Sequence, residues 1–147
     1  MCLYTILMTR IIRTENLSTE RNRLMKAMAI AVRELARQDG FDANARDLAA
    51  FLALALKQVA EGIERSVQPW EKRGYWLKAD RFRMDWDWVD PLSSQLNSAV
   101  VSDDVAAIAQ SVAKLGPKLQ HVQVAAKHRL GTPWVGAWEK MRLANKA

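Results

Sequence analysis

The chain has 147 residues, 50% of them apolar and 26% charged, with 6 Gly, 4 Pro and 1 Cys. That length lets a folded chain bury roughly 68 to 70% of its unfolded surface in one core, and the composition excludes collagen-like, low-complexity and wholly disordered chains. The net charge of +6 permits an anionic partner without requiring one, and the single Cys2 excludes an intramolecular disulfide framework and fits a reducing cytoplasm.

Residues 1–17 read as an N-terminal tail or tether. Leu3, Tyr4, Ile6 and Leu7 make an apolar patch, but no basic residue precedes it and no small-residue cleavage site follows, unlike a signal peptide. Residues 18–147 are expected to form an all-α, single-domain bundle of five to seven helices with short loops. No membrane span is expected, because the longest apolar run, Leu48 to Leu56, has nine residues where a spanning helix needs about 20.

In chain order, Leu24, Met28, Ala31 and Leu35 recur at helical spacing behind the cap candidates Asn16, Ser18 and Thr19, which predicts a helix over 19–38 closed by Asp39-Gly40. Asn44 with Asp47 resembles a capping box. Eleven of the thirteen residues from Leu48 to Ala60 are apolar, so the next helix should lie centrally, with a break near Gln68 ahead of Pro69.

Residues 70–89, WEKRGYWLKADRFRMDWDWV, hold four of the six tryptophans. Wound as one continuous helix, they place Tyr75, Ala79, Phe82, Trp86 and Val89 on one stripe, and Trp70, Leu77, Met84 and Trp88 on nearly the opposite one. The alternation from Met84 to Trp88 also fits a strand, whose only candidate partner is the N-terminal tail. Leu92, Leu96 and Val100 mark a further helix. Another runs from the cap candidates Asp103 and Asp104 through Val105, Ile108, Val112 and Leu115 to Gly116-Pro117. Leu119, Val122, Ala126 and Leu130 continue at helical spacing to Gly131. Thr132-Pro133 then opens a last helix from Trp134 to about Leu143.

The inventory of chemistry is sparse. His121 and His128 stand seven residues apart, no Glu-x-x-His pair occurs, and neither a serine elbow nor a glycine-rich phosphate loop is present. No catalytic residue, metal ligand or cofactor is nominated, and the chain does not read as an enzyme. An acid–base enzyme would need a pocket gathering Glu61, Glu64 or Asp85 with its near neighbour Asp87. The two apolar faces of the 70–89 segment instead predict protein association, either self-assembly or docking on a protein partner, through Trp70, Trp76, Leu77, Met84 and Trp88. Trp76, flanked by Arg73, Asp80 and Arg83, is the first choice among them. The alternative is a nucleic-acid or polyanion binder that presents Arg23, Lys26, Arg33 and Arg37 from the first helix.

Overall fold

The computed structural model describes residues 14–146. These form six helices: α1 (Thr14–Ala36), α2 (Ala43–Lys72), α3 (Trp76–Asp85), α4 (Val89–Val101), α5 (Val105–Leu119) and α6 (Ala137–Lys146). Among the described residues there is no strand, so the 84–88 segment does not take its strand alternative. None of these helices is long and apolar enough to cross a membrane. The tail expected over 1–17 lies outside the described residues as far as residue 13, and α1 is already helical at Thr14, ahead of its expected caps.

The long helix α2 is the axis of the fold. Its 30 residues span about 45 Å, and α1, α3, α4 and α6 all pack on it, while α5 packs on α4 and α1. The near-continuous apolar run explains this position: Leu48, Leu52, Leu56 and Val59 are fully buried together with the small Ala45, Ala49, Ala50, Ala53 and Ala55, which let neighbouring helices come close.

Helix boundaries differ from the sequence expectation wherever a backbone group found a partner that spacing alone does not reveal. Asp42, not Asn44, caps α2, its Oδ1 accepting from the Ala45 N–H at 2.9 Å. Asp47 completes no capping box. Its carboxylate accepts from the N–H groups of Gly136 (3.1 Å) and Trp138 (3.0 Å), so it caps α6 from across the fold. α6 starts at Ala137, because Trp134 to Gly136 form a turn that ends in the left-handed Gly136. Trp134, Ala137 and Met141 are buried where α6 meets α2.

Pro69 and Pro117 do not end their helices. Both are exposed, so water can reach the carbonyl that each missing N–H leaves free. No helix forms over 120–136, although Val122, Val124 and Leu130 still pack against the core from that loop. Asp104 caps α5 as expected, accepting from the Ala107 N–H at 3.1 Å.

Candidate functional site

The tryptophan-rich segment is not one helix. α2 ends in a Schellman motif: the Tyr75 N–H donates to the Trp70 carbonyl at 2.8 Å and the Gly74 N–H to the Glu71 carbonyl at 3.0 Å, with Gly74 at φ +82°. Only glycine takes that φ without strain, and it turns the chain back so that α3 lies against the end of α2. A second turn at Trp86–Trp88 leads into α4.

Folding back merges the two expected stripes. Trp70 and Phe82 meet edge to face at 5.2 Å between centroids, Phe82 and Trp86 lie 6.4 Å apart, and Trp86 stacks on Trp88 at 6.1 Å. Cations cover this row of rings: Lys78 sits 4.5 Å from Trp70, Arg21 lies 5.1 Å from Phe82 and 5.3 Å from Trp86, and Lys118 lies 5.6 Å from Trp88. Burial pushes the Arg21 guanidinium below arginine's ordinary value. Trp70 and Trp88 are therefore half-buried members of the row.

The residues left in solvent are Tyr75 (55% exposed), Trp76 (59%), Leu77 (65%) and Met84 (69%). Tyr75, expected in the core, is placed outside by the Gly74 turn. Trp76 is the one exposed tryptophan of the six. With Trp70, Lys78 and Phe82, the corner residues 75–77 line an open groove of about 770 Å³.

Arg83 holds α3 in place. Its Nη1 and Nη2 donate to both Glu71 oxygens at 2.8 and 3.1 Å, and its Nε donates to Glu64 at 2.9 Å. The hydrogen bond from Arg83 holds the Glu71 carboxyl below its ordinary value of 4.5, and the same bond raises the Arg83 pKa. A carboxyl whose pKa is lower folded than unfolded stabilises the fold above its ordinary value and stops doing so as pH falls through the lowered one. Glu71→Gln should therefore lower the Tm near neutral pH, with the gap from wild type closing at pH values well below 4.5. Thermal melts of both proteins across pH check this, and a gap independent of pH would contradict it.

Comparison with protein-family models, curated proteins and solved structures finds no match to this chain. A fold by itself does not specify a function, so the side chains have to.

The four polyanion candidates are all exposed, Arg23, Lys26 and Arg33 on α1 and Arg37 in the turn just after it, but they divide into two pairs. Arg23 and Lys26 line a cleft with His128 and Arg129 of the loop before α6. Arg33 and Arg37 stand at least seven residues further on, about 10 Å or more along the helix, and Arg37 pairs with Glu34 at 3.1 Å. Neither His128 nor Arg129 was legible as a neighbour of α1, since an expected helix over 119–131 would have carried the pair elsewhere. The carboxylates Glu61, Glu64 and Asp87 do share one open groove with Asp90 and Arg83, whereas Asp85 lines the groove beside Trp76. Among the described residues no group of three or more His, Cys, Asp or Glu could hold a metal ion.

Proposed function

We propose that this protein is a self-associating module, a single-domain helical bundle that pairs with a second copy through the outer face of α3. The observation that carries the reading is that Leu77 and Met84 are exposed together on one face of α3, with the exposed Trp76 at its edge, on a helix whose inner side is already pinned by Arg83 and the aromatic rings. Trp76, Leu77 and Met84 are each more than half exposed, and large apolar side chains left together in solvent mark interaction sites. Trp, Tyr and Met are also the residue types enriched where interfaces bury their anchors.

The second copy is favoured by the symmetry of the helix itself. Leu77 and Met84 lie equidistant from the centre of the 76–85 helix, so two antiparallel copies related by a two-fold axis set each Leu77 against the other copy's Met84. The same axis brings Lys78 near the other copy's Asp85 on one flank. The apolar contact is thus self-complementary. The reading takes the cytoplasm as the compartment, on the strength of the lone cysteine.

Sedimentation at micromolar concentration should show a dimer, and Leu77→Glu with Met84→Glu should convert it to a monomer without lowering helicity. Lys78→Asp should weaken the dimer, and adding Asp85→Lys should restore it. A wild-type protein that sediments as a monomer throughout that range would overturn self-association. If the exposed face is then buried by a different protein, association stands with a different occupant.

A further inference from the structure

We infer that the cleft between α1 and the loop preceding α6 binds the phosphate group of a small phosphate ester of about mononucleotide size. The cleft is about 500 Å³ and is lined by Thr19, Asn22, Arg23, Lys26, His128 and Arg129 at its polar side, and by Val124, Ala125 and Leu130 at its apolar side. No carboxylate lines it. It shares no residue with the groove beside Trp76, so phosphate binding here is independent of association through α3.

Three cations converge on one concavity. Arg23 and Lys26 are three apart on α1 and so share a face, while Arg129 approaches from a segment more than a hundred residues later in the chain. Among the described residues none of the three takes part in an ion pair. Arg37, Arg46, Arg83 and Arg142 show the other arrangement, each being matched by a carboxylate. Like charges facing one concavity repel, and an oxyanion seated between them removes that cost.

The fourth polar group is set to donate as well. The Leu130 N–H donates to His128 Nδ1 at 3.3 Å, so the neutral imidazole must carry its proton on Nε2, where it is a donor. Arginine, lysine, this imidazole and the Asn22 amide can all donate, which suits the three oxygens of a phosphate monoester. Val124, Ala125 and Leu130 supply an apolar wall for an organic group, and the volume falls within the range of about 300 to 1,000 Å³ usual for small-molecule sites. A free phosphate ester and the terminal phosphate of a nucleic-acid strand offer the same oxyanion, and they differ in the group that the phosphate carries.

The test is isothermal titration of the full chain at low salt with adenosine monophosphate, inorganic phosphate, and a short single-stranded DNA with and without a 5′-phosphate. The expected result is saturable, one-to-one binding of the nucleotide with inorganic phosphate as competitor. Arg23→Gln and Arg129→Gln should each weaken that binding about tenfold or more, and Arg33→Gln with Arg37→Gln should leave it unchanged. Preference for the 5′-phosphorylated strand would assign the terminal phosphate of nucleic acid as the source and keep the site. The inference is overturned if no probe binds saturably. It is equally overturned if Arg33→Gln with Arg37→Gln weakens binding as much as Arg23→Gln does, because the affinity would then belong to a diffuse cationic ridge and not to the cleft.

Discussion

Trp134→Ala is expected to lower the unfolding free energy by about 3 to 5 kcal/mol, the usual cost of truncating a buried tryptophan. Trp134 is 7% exposed and stands at the entrance to α6, beside Ala137 and Met141, both buried. It also begins the turn that presents the Gly136 and Trp138 N–H groups to Asp47. Removing the ring leaves a cavity and loosens the turn at once, so the capping hydrogen bonds should weaken with the packing. Chemical denaturation followed by circular dichroism measures the loss. A change below about 1 kcal/mol, typical of an ordinary surface substitution, would mean that α6 is not docked as described.

The second large effect is a contrast between two leucines. Leu52→Ala should cost about 2 to 5 kcal/mol, because Leu52 is fully buried on α2 where several helices converge and the site cannot collapse freely. Leu77→Ala, on the exposed face of α3, should change the stability of the monomer by no more than about 0.5 kcal/mol. The pair is measured by urea unfolding at dilutions where no dimer persists. A comparable cost at Leu77 would indicate that it is enclosed, and the proposed association face would lose its central residue.

How far the sequence can be read depends on whether a feature is written in local spacing. The run from Leu48 to Ala60 announces a buried helix because its composition leaves no polar stripe, and that helix is the axis of the fold. The roles of Asp42 and Asp47 differ from the expected capping box for a physical reason. Asp47 takes partners 89 and 91 residues away, and no local rule reports such a contact. The prolines mislead in the opposite direction, since a missing N–H ends a helix only when nothing else serves the freed carbonyl, and at an exposed site water does.

In the tryptophan segment the decisive residue is Gly74. A lone glycine behind a basic stretch is a plain signal for a left-handed cap, yet the helical spacing of Trp70, Leu77, Met84 and Trp88 runs straight across it. Spacing alone yields two opposed apolar faces. With the turn, Trp70 and Trp88 join Phe82 and Trp86 in one row, and only Trp76, Leu77 and Met84 of the five nominated residues remain in solvent. The cleft at Arg23 is half legible: its α1 side comes from helical spacing, while its far side depends on the path of a loop that has no periodicity to read.

The long-range cap at Asp47 has a consequence for how the chain comes off the ribosome. Trp138 emerges 91 residues after Asp47, a delay of about 5 to 20 s at ordinary elongation rates. Throughout that interval the part of α2 that α6 will shield has no lid from its own polypeptide, and the nascent protein presents an oily strip that chaperones or neighbouring nascent chains can grip. Closure of this strip is thus timed by translation of α6.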